Sequence, residues 1–545
     1  MEVLGKLASL QLSQGEVLEQ YATELLQGLQ LWSEAPQQPD DQAFEAETQL
    51  TQWVAQWQQA ADLEYGGTQR APKFMMPVQW PFLMQYAHKY QDSVLANWVK
   101  LSLDRMAMGG VFDVLEGGFC RYSVDARWHV PHFEKMLYDN GQLLAVYAEA
   151  YRWSPSDLYA EVLVKTTHFL TTACRQPQGG FYASWDADSP NAQGDSEEGA
   201  YYVWTEPELR EVLGADFDAF AQMYNINDFG HWEHGNYVLI RTQSEAFWAA
   251  QWGVSEARVR ALRARTEQAL LRRRAERPAP GLDRKIVCSW NAMAIYGLVE
   301  AWKTGLVPDA LDHALQAARC IQTQLTDAEG HLLRSWLEQP DPIIGFAEDY
   351  AWVIRAWLAL FEATADPYWA DQAKSLMWQA LDLFYDDASG FFQYQSHLAE
   401  ALICPHYEWE DNVIPSANAL MAWNLSYLSR CYELPHFQDK AQRLLEHVLG
   451  HIDQPSAYAL WLQLALHQLH GGQDWVVSGP EASEVLEQAY KKYAPFWTIF
   501  GSNQPHAMAA LTHRFQAEQT AVYVCRDHHC EAPTTDIHKA LQVLQ

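Results

Sequence analysis

The chain has 545 residues, 49% of them hydrophobic, and its 69 acidic against 37 basic residues give a formal net charge of −32. This charge argues against a nucleic acid or an anionic membrane as a partner, because both attract positive charge. The sequence holds no apolar run of about 18 residues and does not open on a basic segment followed by an apolar one, so we expect a cytoplasmic protein without a membrane span.

Residues 1–41 are predicted to form a helical segment followed by a linker. Leu18, Tyr21 and Leu25 recur at helical spacing. The segment 33–41 contains two prolines among polar residues, which is typical of a linker.

A pattern of paired helices with glycine-marked loops recurs between residues 42 and 471. Ten of the predicted helices lie at 78–91, 93–109, 134–153, 157–175, 289–304, 309–327, 347–365, 368–386, 415–433 and 435–450. A glycine followed by aromatic residues recurs at 179–182 and 390–392, and more weakly at 330–332. Helical hairpins bury their apolar faces by stacking, and about a dozen helices favour closure into an (α/α)6 toroid over an open solenoid.

Two further segments depart from this pattern. The arginine-rich stretch 245–283 is interspersed with acids in an acidic chain, which indicates a solvated helix face. Residues 472–545 are predicted to form a small α/β module. Its strands are Asp474–Ser478 and Ala521–Cys525, its first helix is Glu481–Tyr493 and its last helix lies near Thr535.

The eight cysteines contain no C-x-x-C pair, so we expect mostly buried, reduced thiols. Cys525 and Cys530, with His528 and His529 between them, resemble a metal knuckle, but one such pair is weak evidence. We therefore expect neither a metal nor a cofactor.

The stretch 116–140 concentrates acids, histidines, arginines and aromatic residues between a Gly-Gly turn and a helix predicted to begin near His132. On such a helix residues 132, 135, 136 and 139 would share a face, so His132 and Asp139 could line one funnel. A histidine oriented by a carboxylate can exchange protons near neutral pH. The alternatives are a structural hydrogen-bond network, or a metal bound by His129, His132 and Glu134.

More acids occur beside predicted helix starts and loops. Asp186 and Asp188 could supply the two carboxylates of glycosidic cleavage, form a turn or bind a cation. Glu348 and Asp349 open a helix, where they could face a funnel or simply complement the helix dipole. The remaining candidates at such positions are Glu198, Lys285, Ser289, Trp290, Asn291, Trp409, Asp411, Asn412 and Ser416.

These motifs together resemble those of the bacterial YyaL proteins and the animal spermatogenesis-associated thioredoxin-like proteins. The matching segments are 66–67, 71–74, 117–119, 121–123, Asp125, 128–139, 186–188, 198–204, 235–236, Lys285, 289–291, 348–350, 415–416, Asn418, Cys525 and Cys530. The resemblance implies an (α/α)6 toroid similar to sugar 2-epimerases and glycosidases. Relatives usually carry a thioredoxin-like module before this region, and this sequence lacks its motif, so we expect no thioredoxin-type redox activity.

The sequence also departs from the family at several positions, among them residues 404–406, where a basic pair is common. Cys120 stands where relatives usually have His, and Ala292 and Ala417 stand where they usually have Gly. A thiol has a higher reference pKa than an imidazole, so Cys120 would not simply replace a catalytic histidine. Cys120 therefore leaves two alternatives open: this protein has a different activity from its relatives, or it has lost theirs.

Two functions remain as hypotheses. In the first, the protein is an enzyme of the epimerase, isomerase or glycosidase type that acts on a sugar-like small molecule. Its catalytic residues would be His132, Glu134, Asp186, Asp188 and Asp411. Its substrate-binding residues would be Arg121, Tyr122, Trp128, Tyr138, Asp139, Glu198, Lys285, Trp290, Asn291, Glu348, Asp349 and Trp409. In the second, it is a non-catalytic binding or scaffold protein, because fold-level analogy does not establish activity.

Overall fold

The computed structural model describes residues 2–32, 35–36, 46–191, 193–340, 343–526 and 529–544. Its helices are α1 (Glu2–Ser13), α2 (Gly15–Trp32), α3 (Ala46–Gln58), α4 (Gln79–Tyr90), α5 (Ser93–Met108), α6 (Leu137–Trp153), α7 (Asp157–Thr172), α8 (Glu206–Leu213), α9 (Phe217–Met223), α10 (Glu245–Trp252), α11 (Glu256–Arg274), α12 (Cys288–Lys303), α13 (Ala310–Gln324), α14 (Ala347–Thr364), α15 (Pro367–Phe384), α16 (Ala417–Tyr432), α17 (Pro435–Leu449), α18 (Ala459–His470), α19 (Ala482–Tyr490) and α20 (Ile537–Gln542). Most of the predicted linker 33–41 lies outside the described residues.

The strands are short, except in the C-terminal sheet. They are β1 (Lys73–Phe74), β2 (Tyr122–Ser123), β3 (Pro131–His132), β4 (Lys135–Met136), β5 (Ser184–Trp185), β6 (Asp188–Pro190), β7 (Ser196–Glu198), β8 (Trp204–Thr205), β9 (Asn236–Tyr237), β10 (Leu282–Asp283), β11 (Ile286–Val287), β12 (Ser335–Leu337), β13 (Gln339–Pro340), β14 (Tyr385–Asp386), β15 (Phe391–Phe392), β16 (Gln473–Ser478), β17 (Trp497–Ser502), β18 (Ala521–Arg526) and β19 (His529–Cys530).

Twelve helices form a closed double ring, which confirms the predicted (α/α)6 toroid. The inner ring runs α4, α6, α12, α14, α16, α18, and α18 packs back against α4 to close it. The helices α3, α5, α7, α13, α15 and α17 form the outer layer. Inner helices such as α14 are buried almost along their whole length, because they touch neighbours on both sides and the outer layer behind.

The inner helices all begin at the same end of the toroid, because an outer helix returns the chain between successive inner ones. We call this end the mouth. Short antiparallel sheets surround it, with strand orders β1-β2-β3, β10-β5-β4 and β11-β12-β13. The sheets tie the loops of neighbouring hairpins together, so the polar side chains on these loops are held at one end of the molecule.

Buried asparagines in the first turn of three inner helices explain the recurring glycine-aromatic loops. Each side-chain oxygen accepts the backbone N–H of a phenylalanine, and each side-chain nitrogen donates to the carbonyl of the same phenylalanine. The pairs are Asn140 with Phe119, Asn291 with Phe181 and Asn418 with Phe392. We call them the asparagine clamps. Gly118 precedes the first at φ +80°, where a Cβ would lie 2.5 Å from the Phe169 ring.

An insertion between α7 and α12 carries the arginine-rich helix α11. The prediction of a solvated helix face is wrong for the most buried arginines of this segment. Arg274 is 1% exposed, and its guanidinium lies 2.9 Å from Asp113 and 3.1 Å from Glu116. Burial of the carboxylate between Arg274 and Lys135 leaves the pKa of Asp113 well below its ordinary value, since the two cations outweigh desolvation. The arginines therefore anchor the insertion to the toroid.

The predicted C-terminal strands and helices are present. The four-stranded sheet has the order β17-β16-β18-β19, with β16 and β17 parallel. Its apolar face packs with α19 against Trp302 and Ala365 at the end of the toroid opposite the mouth. Cys525 and Cys530, which resemble a metal knuckle in sequence, form a disulfide between β18 and β19; His528 lies outside the described residues.

In the described part of the chain, no helix combines the length and the apolar character that a membrane span requires. The same residues contain no group of three or more His, Cys, Asp or Glu side chains arranged to hold a metal ion.

Candidate functional site

His132 lies on a strand, which corrects the prediction that a helix begins near this residue. His132 ends β3 and pairs with Tyr122 of β2, while α6 begins only at Leu137. Pro131 and the two strands hold this backbone extended, so residues 132, 135, 136 and 139 do not share a helical face. His132 and Asp139 nevertheless lie on the same side of the toroid, because β3 and the first turn of α6 are both at the mouth.

The imidazole of His132 lies between two carboxylates. Its Nδ1 is 2.7 Å from Glu198 Oε1, and its Nε2 is 3.7 Å from Glu134 Oε2. The Tyr122 ring stacks on it at 5.1 Å between centroids. The side chain remains 26% exposed, so the ring is oriented by its partners but open to solvent. A histidine oriented by a carboxylate and open on its other side is placed to transfer a proton to or from a ligand.

A second layer of polar side chains lies behind Glu134. Arg121 donates to Glu134 Oε2 at 3.2 Å, and burial raises the pKa of both Tyr138 and Asp139. Asp139 is 2% exposed, and its Oδ2 has no hydrogen-bond partner among the described residues. Burial therefore favours the protonated form of Asp139.

The hairpin of β6 and β7 brings the predicted carboxylates 186–198 to the same region. Asp188 pairs with Glu198 in the ladder, so their side chains point to one face beside His132. Asp186 and Asp188 are exposed, and Asp186 Oδ1 accepts the Asp188 backbone N–H at 3.2 Å. This hydrogen bond matches the turn-forming alternative for Asp186.

Another acidic group lies at the start of α14 and includes two residues that the sequence analysis missed. Arg334 Nη1 is 2.9 Å from Asp349 Oδ1 and 3.5 Å from Glu348 Oε1. Burial, reinforced by the nearby charge of Glu348, raises the pKa of Glu408 to about 7. Arg334 and Glu408 belong to loops rather than to helix starts, so no periodicity marked them. Arg334 lies between Gly330 and Gly345, and this glycine-flanked position was its available signal, whereas the loop that holds Glu408 has no such glycines.

Trp290 connects the two groups. Its ring makes an edge contact with Tyr138 at 4.9 Å, and the backbone N–H of the preceding Ser289 donates to Asp349 Oδ1 at 2.9 Å. The mouth therefore presents a continuous polar and aromatic rim from His132 to Glu408.

Several predicted site residues have structural surroundings instead. Trp128 is fully buried and donates its indole N–H to the Tyr65 carbonyl, which removes it from any pocket wall. Asn291 is one of the asparagine clamps. Asp411 is 5% exposed, and its two oxygens accept the backbone N–H groups of Ser416 and Leu460.

The other two predicted residues lie at the rim. Lys285 is 51% exposed and pairs with Asp283 at 3.1 Å. Trp409 is half-buried, and its ring lies 5.7 Å from that of Tyr458.

Fold and site together define an (α/α)6 toroid with an acidic, aromatic mouth centred on a carboxylate-flanked histidine. No protein-family model matches the chain. Among characterised sequences it is 31% identical over 539 residues to spermatogenesis-associated protein 20 of Mus musculus, covering 90% of this chain and 68% of that protein. The Homo sapiens protein of the same name is 31% identical over 521 residues, covering 87% and 66%.

The chain belongs to the spermatogenesis-associated protein 20 family, and it spans about two-thirds of the length of these curated relatives. Solved structures that resemble it include the cellobiose 2-epimerase from Bacillus thermoamylovorans, at 10% identity and a TM-score of 0.49 over 77% of this chain and 99% of that one. A D-mannose isomerase structure has 13% identity and a TM-score of 0.47, over 77% and 93%.

Proposed function

We propose that the mouth is an acid–base site for a sugar-like, polyhydroxylated small molecule, with His132 as the group that transfers the proton. The observation that carries the proposal is the imidazole held between Glu198 and Glu134 while 26% of it stays exposed. Glu198 would orient the ring through Nδ1, and Nε2 would face the ligand. Such a base suits proton removal next to a carbonyl, as in isomerisation or epimerisation.

The rim supports this choice of ligand. Trp290 offers a flat apolar face, and Arg121 and Asp188 offer hydrogen-bond partners for hydroxyl groups. The acids of the mouth outnumber its cations, which disfavours a phosphorylated or otherwise anionic substrate. Hydrolysis of a glycosidic bond by Asp186 and Asp188 is the second form of the same proposal.

The test is exchange of substrate hydrogen for deuterium. The purified protein is incubated with aldoses and ketoses in heavy water, and incorporation beside the carbonyl is followed by NMR. We expect deuterium incorporation with the wild type and none with His132→Gln. The melting temperatures of the two proteins should agree within a few degrees. His168→Gln, on the exposed face of α7, is the matched control and should behave as the wild type.

Asp186→Asn separates the two forms of the proposal. It should leave exchange intact if His132 alone transfers the proton, and it should remove cleavage of nitrophenyl glycosides if the aspartates act as a pair.

The competing function is a non-catalytic binding or scaffold protein whose mouth is a structural network. The observation favouring it is that the partners of His132 and Asp411 are already protein groups. In that case no sugar exchanges hydrogen, and His132→Gln lowers the free energy of unfolding by about 0.5–1.5 kcal/mol, because Glu198 loses a hydrogen-bond partner.

A further inference from the structure

The interior of the toroid holds a cavity, which we call the lumen. It has a volume of about 250 Å³ and is walled by residues of all six inner helices. The segment 490–499 of the C-terminal module lines its end opposite the mouth. Arg121, His132 and Glu198 of the mouth do not line it. The lumen is therefore a second candidate site with its own set of side chains.

The charged side chains of the lumen carry an excess of positive charge. Among the residues that the structure describes, four cations and three acids line it, namely Arg152, Lys303, Arg355, Lys492, Glu149, Glu300 and Glu362. His467 lines it too, and burial lowers the pKa of its imidazole to about 3, which keeps this ring neutral. The chain as a whole has a formal net charge of −32, so a positive interior does not follow from its composition.

Two of the four cations are neutralised by close ion pairs. Lys303 Nζ lies 2.6 Å from Glu362 and 2.7 Å from Glu300. Arg152 Nη2 lies 2.6 Å from Glu300. Each of these four side chains is at most 13% exposed, and buried charges at such distances are held by one another. These two cations are therefore not available to a ligand.

Glu149, the third acid, has neutral hydrogen-bond partners. Its Oε1 accepts from Gln85 Nε2 at 2.9 Å and from the Tyr493 hydroxyl at 3.2 Å. Burial raises the pKa of its carboxyl group and so disfavours the charged form. Glu149 is thus a weaker counter-charge than the two paired glutamates, and the positive charges left over are those of Arg355 and Lys492.

Arg355 on α14 has no close acidic partner. Its Nη1 lies 4.0 Å from Glu362, which Lys303 already holds at 2.6 Å. Its Nη2 donates to the Tyr296 hydroxyl at 3.4 Å, and the guanidinium lies 4.8 Å from the centre of that ring. The guanidinium is thus held in place by Tyr296, while most of its N–H groups remain unused by the described residues.

The unused N–H groups of Arg355 face the lumen. The side chain is 14% exposed although it lies on an inner helix, and it is part of the lumen wall. Among the described residues, none of its nitrogens is both inaccessible and without a partner, in contrast to Nε of Arg152. A fixed guanidinium with accessible N–H groups can bind a carboxylate through two parallel hydrogen bonds.

Lys492 adds a second positive charge where the C-terminal module closes the lumen. It follows α19 and is partly exposed. Within the described part of the chain, no acidic side chain pairs with its ammonium group. Its charge therefore adds to the attraction that the lumen exerts on an anion.

We propose that the lumen binds a small organic anion with one carboxylate group, and that Arg355 is the main partner of this carboxylate. One negative charge matches the single positive charge in excess. The volume is larger than a halide ion fills and lies below the roughly 300–1,000 Å³ of sites for drug-sized ligands, which indicates a molecule of about one ring. Tyr296 and Trp423 line the same space and offer apolar surface to its carbon skeleton. The proposal does not rest on the proposed function, because the acidic mouth disfavours anions.

The test is the substitution Arg355→Gln. Wild type and variant are titrated with benzoate, pyruvate and D-gluconate by calorimetry at constant ionic strength, and with benzamide as an uncharged analogue. We expect at least one carboxylate to bind the wild type and its affinity to be at least about tenfold weaker in the variant, because the charged hydrogen bonds are lost. Benzamide should bind neither protein.

A second variant, Lys492→Gln, keeps the proposal testable if Arg355→Gln fails to fold. It lies on a partly exposed segment outside the ion pairs, and it should weaken carboxylate binding about threefold through the loss of one nearby charge. Arg430→Gln is the matched control, since Arg430 lies in the neighbouring groove and pairs with Asp474 at 2.6 Å. It should leave carboxylate affinity unchanged.

Three results would overturn the lumen site. The first is that none of the three carboxylates binds the wild type, which would leave Arg355 a purely structural role. The second is equal affinity in the wild type and in both lumen variants. The third is binding that is lost in His132→Gln but kept in Arg355→Gln, which would assign the anion to the mouth.

Discussion

The carboxylates at the mouth have two different roles, and their positions in the sequence do not show which carboxylate has which role. Asp349 and Asp411 each place both oxygens on backbone N–H groups, so they fix loops to helix starts. Glu198 and Glu134 instead face His132. Three of them precede or open an element and Glu198 ends β7. A sequence shows the position of a carboxylate but not which donors will surround it. That is why the region of the site was predictable and the division of roles was not.

Glu408 should make stability depend on pH. Its pKa is raised to about 7 from an ordinary 4.5 by burial and by the charge of Glu348. Between these values the folded state keeps the proton and the unfolded state has released it, so rising pH favours unfolding. The contribution is fully present below about pH 4.5 and is lost as pH rises through about 7.

The measurement compares wild type with Glu408→Gln, which cannot titrate. Chemical unfolding at pH 5 and pH 8 should show the stability advantage of the wild type over the variant shrinking by about 2–3 kcal/mol. The exposed Glu400→Gln is the control and should show a constant difference. An advantage that grows with pH would contradict the prediction.

At the scale of elements, each asparagine clamp should contribute more to the free energy of unfolding than an ordinary buried side-chain amide does. Asn418 makes three hydrogen bonds, at 2.8 Å from Phe392 N, 2.9 Å to Phe392 O and 2.8 Å to Glu408 O. Replacing it with alanine leaves these backbone groups unpaired, and should lower the free energy of unfolding by about 2–4 kcal/mol.

Asn424 on the same helix is the matched control, because it is equally buried and makes one such bond, 2.8 Å to Ala351 O. Denaturant unfolding should show Asn418→Ala to be less stable than Asn424→Ala by about 2 kcal/mol. Equal losses would mean that the lost volume, and not the clamp, sets the cost.

The helical elements were predictable because their apolar spacing is strong and their ends carry ordinary stop signals. The predicted 93–109 and 347–365 differ from α5 and α14 by one residue. The start of α6 was misplaced because Pro131 and the two short strands around it interrupt a polar stretch that has no strand periodicity of its own. The asparagine clamps were not predicted, because each joins a helix residue to the backbone of a phenylalanine in a distant part of the chain. No periodicity in the sequence marks such a pair.

For the whole molecule, the net charge of −32 should make stability respond to salt. Excess like charge opposes compaction, and the Debye length falls from about 30 Å at 0.01 M to about 8 Å at 0.15 M. We therefore expect the melting temperature to rise by several degrees when NaCl is raised over roughly this range. Sucrose at matched osmolarity controls for solute exclusion, and a fall in melting temperature would show that surface ion pairs outweigh the repulsion.

The asparagine clamps also bear on the order in which the ring is assembled. The clamps of Asn140 and Asn418 close loops of 21 and 26 residues, whereas that of Asn291 closes one of 110, because the insertion lies inside it. Loop-closure entropy grows with the logarithm of length, so the long closure costs about 1.5 kcal/mol more than the shortest one. The seam between α6 and α12 should therefore join late in folding, after the hairpins on either side have formed.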